Sequence, residues 1–322
     1  MQSAPELQHS PGSATSLVVI LGPTAVGKTE LALDLAERLN GEIISADSRL
    51  FYRGMDIGTA KPSQIELERV PHHLINITDP DNVISLARFQ RLANGAIANI
   101  ARRGRLPFLV GGTGQYIHAV IQGWSVPRVQ PDPALRSALE TWSGQIGAEG
   151  LHQRLSILDP QAAEAIDYRN LRRTIRALEV ILSTGVKFST QRQRGHSPYC
   201  ALQIGLTRPR PELYARIDER VEAMMSAGLV DEVRFLFNNG YRPDLPPLSA
   251  IGYREIISHL EGMISLEEAI VKIKRASRVL VRRQANWFKN SDPDINWFEA
   301  GPDTAAQIML LITSWLKLQD KP

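Results

Sequence analysis

The sequence predicts an α/β protein: a parallel β-sheet with helices on both faces and a helical domain inserted into it. Short apolar segments alternate with helix-patterned segments at the start of the chain, and a Gly-rich turn joins the first pair. The alternation is interrupted once, between about residues 124 and 199, where the pattern is helical throughout. A strand–helix–strand rhythm is typical of parallel sheets covered on both faces.

The first strand, helix and strand are predicted from local pattern. Residues 17–21 form a short apolar run, and residues 29–39 carry leucines four residues apart on one helical stripe. Asn40 and Gly41 end that helix, and residues 42–45 begin the second strand.

The later elements follow the same logic. A helix over 86–102 precedes a buried strand at 106–110, and a strand at 201–206 follows the insertion. Helical periodicity then predicts helices at 211–227, 229–238, 266–289 and 303–318. The predicted organisation is a disordered lead-in at 1–16, a core at 17–123 and 200–322, and a helical insertion at 124–199.

Composition excludes several classes of protein. The chain has 322 residues, is 43% apolar, and has no apolar run long enough to predict a membrane span. Residues 1–16 lack the basic start and apolar stretch of a signal peptide. The single cysteine, Cys200, excludes a disulfide framework and a cysteine-cluster metal site. A reducing, cytoplasmic location is expected.

Basic residues are concentrated in two runs, although the net charge is only +3. Between Tyr168 and Arg194 there are seven basic residues and one acid, Glu179. Between Lys272 and Lys289 there are seven more and no acid. Either run alone is typical of a solvated helix face, but two together indicate a polyanionic partner.

The turn after the first strand matches the pattern G-x-x-x-x-G-K-[ST] and predicts a phosphate cradle, or P-loop. Its residues are Gly22, Pro23, Thr24, Ala25, Val26, Gly27, Lys28 and Thr29. Loop amides and the helix N-terminus attract a diphosphate or triphosphate. Lys28 would reach the outer phosphate, and the Thr29 hydroxyl could hold Mg²⁺.

Two further polar loops follow predicted strands. The strand at 106–110 ends in Gly-Gly-Thr113-Gly, without the metal-binding acid that many nucleotide kinases carry there. The strand at 42–45 leads instead to Asp47. Because the carboxyl ends of parallel strands meet at one crevice, we expect Asp47, Thr113 and the cradle to share a site.

Nine segments together resemble the bacterial tRNA dimethylallyltransferase family over residues 17–298. They include GPTAVGKT at 22–29, SADS at 45–48, YRGMDIGTAKP at 52–62, LVGGTG at 109–114, RIDERV at 216–221, IGYRE at 251–255 and RRQANWF at 282–288. GMDIGTAKP is the most specific of them. Two positions depart from the family pattern, Leu50 for a more usual Gln and Gln115 for a more usual Leu.

The resemblance implies a reaction and its participants. The donor would be dimethylallyl diphosphate, with Mg²⁺, and the acceptor the N6 amine of the tRNA adenosine 3′ of the anticodon, reached by flipping that base out of its stack. Asp47 would be the general base, although an Asp in such a loop can equally cap a turn. Thr113 would hydrogen-bond a diphosphate oxygen or steer the amine. Arg220 would stabilise the leaving diphosphate, and the role of Arg216 is open.

The predicted tRNA contacts lie in both domains. They are Asp47, Ser48, Arg49, Leu50, Thr113, Arg136, Arg172, Arg173, Arg176, Arg282 and Arg283. Helical spacing turns Trp287 toward the core, so packing is favoured over base stacking. His72 and His73 are interpreted as structural.

Two other functions fit part of the pattern. A small-molecule kinase would explain the cradle and Lys28 but not the Gly-Gly-Thr-Gly loop or the basic runs. An RNA-binding module with a nucleotide switch would need no general base. The sequence contains no coiled-coil pattern, so nothing of that kind argues against a monomer.

Overall fold

A computed structural model describes residues 14–127, 129, 132–191, 195 and 197–319. The predicted lead-in over residues 1–13, and Arg192 and Arg194 of the first basic run, lie outside the described residues. The chain forms two compact units, one from Met1–Ile121 with Pro198–Pro322 and the other from Gln122–Ser197. The boundaries expected from the sequence, 124 and 199, lie two residues downstream.

The first unit is built on a six-stranded sheet with the order β3-β2-β4-β1-β5-β6. The strands are Thr15–Leu21 (β1), Gly41–Ser45 (β2), His72–His73 (β3), Leu106–Gly111 (β4), Tyr199–Thr207 (β5) and Ile295–Glu299 (β6). Every strand pairs in parallel with its neighbours. The predicted parallel sheet is therefore confirmed.

The first strand begins earlier than the sequence suggested. Thr15 pairs with Tyr199, and Ser16 pairs with Cys200. The lead-in therefore does not extend to residue 16, and the fifth strand begins at 199 rather than 201. Thr15 and Ser16 gave no apolar signal at the start of the first strand, where pairing between the backbones decides the structure.

The helices, in chain order, flank the sheet or form the second unit. They are Lys28–Arg38 (α1), Gln64–Arg69 (α2), Leu86–Arg102 (α3), Gly114–Ile121 (α4), Pro133–Leu158 (α5), Pro160–Glu164 (α6), Leu171–Thr184 (α7), Phe188–Gln191 (α8), Arg210–Ser226 (α9), Leu229–Asn238 (α10), Tyr253–Leu260 (α11), Leu266–Ala285 (α12) and Thr304–Gln319 (α13). A short 3₁₀ helix, Pro246–Ser249, precedes α11.

Alternate residues of β1 enter two different cores. Leu17, Val19 and Leu21 pack into the core that contains residues of α3, α4 and α10 to α12. Val18 and Ile20 pack into the core that contains residues of α1, α9 and α13. This alternation follows from the two-residue period of a strand, and it explains why β1 is apolar throughout.

The second unit, α5 to α8, has its own hydrophobic core, which includes Leu139, Leu151, Leu155 and Leu178. Helix α5 is broken at Gly147, whose φ of 78° and ψ of 164° are not helical. Across the described ranges, we find no helix that combines the length and the apolar character needed to cross a membrane.

Candidate active site

The strand order brings three loops together at the carboxyl edge of the sheet. Strand β1 lies beside β4, and β4 lies beside β2. The loops that follow them carry the cradle, the Gly112–Thr113 turn and Asp47. Asp47 and Thr24 of the cradle line two neighbouring clefts in common, and Thr113 lines the second.

The first cleft, the cradle cleft, has a volume of about 530 Å³. The wall formed by the cradle and α9 contains Thr24, Ala25, Gly27, Lys28, Thr29, Arg216 and Arg220. Gly27 begins α1 with a φ of 107°, a conformation that glycine adopts without strain. Val26 is buried in the core behind this wall. The sequence motif therefore forms the strand–turn–helix cradle that it predicts.

Lys28 is held at the cradle by a neutral partner. Its Nζ donates to the Pro23 carbonyl oxygen over 2.6 Å. Burial lowers the pKa of Lys28 to about 8, with the Asp47 charge opposing this shift and the Arg220 charge adding to it. A partly buried, desolvated cation beside a polar loop is a ready site for an anion.

Two arginines of α9 also donate hydrogen bonds to backbone carbonyls. Arg216 Nε donates to Ala25 O over 2.9 Å, and Arg220 Nη2 donates to Thr59 O over 3.4 Å. Arg216 therefore connects α9 to the middle of the cradle loop at Ala25. Burial lowers the pKa of Arg220, and the Asp47 charge partly offsets this.

Asp47 combines a turn-capping role with access to both clefts. Its Oδ1 accepts a hydrogen bond from Arg49 N over 2.9 Å, so one carboxylate oxygen caps the loop. The same side chain lines the cradle cleft and its neighbour. Capping and proton transfer are compatible, because a carboxylate has two oxygens.

The second cleft, the Thr113 cleft, has a volume of about 430 Å³ and shares Thr24, Asp47, Thr59, Gly112, Arg220, Leu280 and Gln284 with the first. Ser48, Arg49, Gln115 and Arg283 line it as well. Leu50 lines only the cradle cleft, and Arg282 is exposed without lining either. Arg49 Nη1 is committed to the carbonyls of Pro246 and Pro247, each at 3.1 Å.

Gln284 is a site residue that the sequence analysis missed. Its Oε1 accepts from Thr24 N over 2.9 Å, and its Nε2 donates to Gly112 O over 3.1 Å. It thereby ties the cradle to the turn that carries Thr113. A polar residue beside the two arginines of RRQANWF was the available signal, but its partners are 260 and 172 residues away.

Glu232 of α10 is a second residue that the sequence analysis missed. Its carboxylate accepts hydrogen bonds from the three successive amides of residues 56–58 over 2.7–3.1 Å, and from Tyr253 Oη over 2.6 Å. These residues belong to the GMDIGTAKP segment. Thr59, which follows them, lines both clefts. The most specific motif of the sequence is therefore a wall of the site.

The two histidines differ in position, and Trp287 is not in the core. His73 Nε2 lies 2.7 Å from Glu42 Oε2, away from the clefts. His72 lines the cradle cleft, and its Nδ1 lies 2.7 Å from Val70 O. Trp287 is 41% exposed and lines the Thr113 cleft. The expectation that Trp287 packs inward is wrong, because α12 ends at Ala285 and helical spacing no longer applies.

In the insertion, the predicted tRNA-binding arginines fall into two groups. Arg136 and Arg176 both pair with the fully buried carboxylate of Glu179, at 3.0 and 2.7 Å. Arg172 and Arg173 are exposed on α7. The buried acid within the basic run thus has a structural role, and the tRNA contact of the exposed pair stays a prediction.

A metal ion at this site would be coordinated largely by the phosphates of the bound substrate and by water. Among the described residues there is no group of three His, Cys, Asp or Glu side chains arranged to bind a metal. Thr29 lines the cradle cleft at the start of α1. A single hydroxyl beside a phosphate cradle fits Mg²⁺, which usually keeps substrate phosphates and waters as its other ligands.

The parallel sheet and its strand–turn–helix cradle define a P-loop-type α/β protein. A family model described as IPP transferase matches residues 50–291. The chain belongs to this IPP transferase family.

Curated relatives and solved structures agree with this assignment. The chain is 52% identical to a tRNA dimethylallyltransferase of Roseiflexus sp. strain RS-1, over 93% of this chain and 98% of the relative. It is similar to the crystal structure of a tRNA isopentenylpyrophosphate transferase from Bacillus halodurans, with 46% identity, a TM-score of 0.71, and coverage of 94% and 97%. A eukaryotic dimethylallyltransferase acting on tRNA matches with a TM-score of 0.80 at 28% identity, over 96% of this chain and 80% of that one.

Proposed function

We propose that the protein transfers a dimethylallyl group from dimethylallyl diphosphate to the N6 amine of the tRNA adenosine beside the anticodon, releasing diphosphate. The observation that carries this proposal is a pair of clefts that share Asp47, Thr24 and Arg220, of which only the first is lined by Lys28 and Thr29 of the cradle. A phosphorylated donor in one cleft and a base in the other would meet at these shared residues. The names of the relatives support the same reaction.

The cradle cleft would hold the donor by its diphosphate. Lys28, the loop amides and Arg216 would contact it in the ground state. As the bond between C1 and the bridging oxygen breaks, negative charge accumulates on the diphosphate, and Arg220 would stabilise that charge. Because these cations are already fixed by carbonyl oxygens, little reorganisation is needed during the reaction.

The Thr113 cleft would receive the flipped adenine. The N6 nitrogen forms a bond to C1 of the donor, and a proton of the amine passes to the Asp47 carboxylate. Thr113 would orient the amine or a diphosphate oxygen. The capping hydrogen bond from Arg49 N would hold the Asp47 side chain in place, leaving its second oxygen for the proton.

Thr29 and the donor's phosphate oxygens would hold Mg²⁺, which would supply charge neutralisation for the diphosphate. Removing divalent ions with EDTA should abolish transfer, and adding Mg²⁺ should restore it. Transfer that persists in EDTA would contradict this assignment.

The decisive experiment compares two donors with one protein. Labelled dimethylallyl diphosphate and labelled ATP are each incubated with the enzyme and tRNA, and the tRNA nucleosides are then analysed. We expect label from the prenyl donor on adenosine in a Mg²⁺-dependent reaction. Phosphoryl transfer to a small molecule without prenylation would favour the kinase. Binding of tRNA without either reaction would favour the RNA-binding module.

We further propose that the protein works as a monomer in the cytoplasm, where its tRNA substrate is found. Light scattering coupled to gel filtration should give a mass near 35.8 kDa. A stable dimer would contradict the monomer.

A further inference from the structure

Gln284 uses both ends of its amide to join two loops. Thr24 N donates to its Oε1 over 2.9 Å, and its Nε2 donates to Gly112 O over 3.1 Å. Both distances lie within the normal hydrogen-bond range. One side chain from the end of α12 therefore fixes a cradle residue and the residue before Thr113.

The backbone at Gly112 packs closely against the Gln284 side chain and the cradle backbone. A Cβ atom added at Gly112 would lie 2.3 Å from Gln284 Nε2 and 3.1 Å from Gly22 O. Glycine at position 112 therefore allows the Gln284 amide and the cradle backbone to approach closely. A larger residue there would displace the Gln284 amide from Gly112 O.

The bridge lies where the two clefts meet. Gln284 lines both clefts, as do Asp47 and Arg220. The donor's diphosphate would lie on one side of the bridge and the adenine on the other. Small changes at Gln284 would therefore alter the separation of the reacting groups more than the affinity of either substrate.

We propose that Gln284 is a positioning residue that holds the cradle and the Thr113 turn at a fixed separation, so that donor C1 and the acceptor amine meet in reactive geometry. This inference rests on the proposed function. A displacement of about 1 Å in reacting groups can slow a reaction about 100-fold without affecting binding.

The test is Gln284→Met, which keeps the length of the side chain and removes both hydrogen bonds. We measure the single-turnover rate constant of prenyl transfer with both substrates saturating, and the dissociation constants of donor and tRNA separately. The rate constant reports only folded molecules, so a partly unfolded preparation does not alter it. We expect a rate constant lower by about 10–100-fold, with both affinities within about 3-fold of wild type.

Gln284→Glu is the second variant, because it retains an acceptor for Thr24 N but has no donor for Gly112 O at neutral pH. It should also be slowed at least about 10-fold, and it decides the question if the Met variant does not fold. Gln307→Met, at an exposed position of α13, is the matched control and should react at the wild-type rate.

A single-turnover rate constant within 2-fold of wild type in either soluble variant would overturn the inference, even if the melting temperature fell, because Gln284 would then only stabilise the fold. The inference would also fail if the affinities fell and the rate constant did not. Failure of the wild-type protein to transfer the prenyl group at all would instead reject the proposed function.

Discussion

The positive charges of the cradle cleft and those of the insertion are held in different ways. Lys28, Arg216 and Arg220 donate to backbone carbonyls, and within the described chain no carboxylate oxygen lies within 4.0 Å of their nitrogens. Arg136 and Arg176 instead share the buried carboxylate of Glu179. Burial by itself would raise the pKa of Glu179, but the two arginines outweigh it, and the pKa is lowered.

This difference separates a ligand site from a structural ion pair. A partly buried cation that forms no ion pair, with only the more distant Asp47 charge to offset it, is unfavourable, and a bound anion would stabilise it. A buried carboxylate satisfied by two arginines needs no ligand. Charge removal should therefore affect mainly chemistry in one region and mainly stability in the other.

The largest effect is expected for Asp47, the acid that both clefts share. Asp47→Asn keeps the side-chain size and an oxygen that can accept from Arg49 N, but it cannot take a proton. The single-turnover rate should fall about 10²–10⁴-fold, the usual contribution of a positioned base. Donor affinity and melting temperature should remain near wild type. A rate within a few-fold of wild type would leave Asp47 as a turn cap alone.

The next effect is one of stability. The double substitution Arg136→Met with Arg176→Met leaves Glu179 buried and unpaired. The free energy of unfolding should fall by about 3–5 kcal/mol, measured by urea unfolding followed by circular dichroism. Lys28→Met is the contrasting variant, which should unfold no more easily than wild type while its kcat/KM for the donor falls. Equal loss of stability in both variants would remove the distinction between the regions.

The lowered pKa of Lys28 predicts that both kcat/KM for the donor and the stability of the enzyme depend on pH. Its pKa in the folded protein is about 8, below its ordinary 10.5, and the charged form binds the diphosphate. The kcat/KM for the donor should therefore fall about tenfold per pH unit above pH 8. The stability of the unliganded enzyme should rise between pH 8 and 10.5, since the unfolded chain binds the extra proton there.

Lys28→Arg is the matched control, because a guanidinium stays charged throughout this range. Its kcat/KM should lack the fall above pH 8, whatever its absolute value. A wild-type profile that stays flat to pH 10 would contradict the depressed pKa of Lys28.

Local signals in the sequence were enough to predict the sheet, the cradle and the meeting of Asp47, Thr113 and the cradle. A strand's apolar run and a Gly-Lys-Thr turn each lie within ten residues. Strand β6 was missed because only Ile295 of its five residues is buried. Gln284 and Glu232 were missed because the loops that they hold, at Thr24, Gly112 and residues 56–58, are 172 or more residues distant in the chain. Trp287 was misplaced because helical periodicity was extended past the end of α12.

The smallest effect concerns the exposed arginines of the insertion, which differ from Arg136 and Arg176 in having no buried carboxylate as partner. Arg172→Ala with Arg173→Ala should weaken tRNA binding, and the slope of log K against log salt should flatten by about 0.7–0.9 for each phosphate that the variant no longer neutralises. The KM of the small donor should hardly change, because its cleft lies in the other unit. The matched control is Arg91→Ala with Arg102→Ala, which removes the same charge from exposed positions of α3. If both double variants flatten the slope equally, net charge explains the effect, and α7 has no specific contact with tRNA. If only the α7 variant does so, the first basic run divides by function: Arg176, with Arg136 of α5, neutralises the buried Glu179 and holds the insertion together, whereas Arg172 and Arg173 bind the substrate.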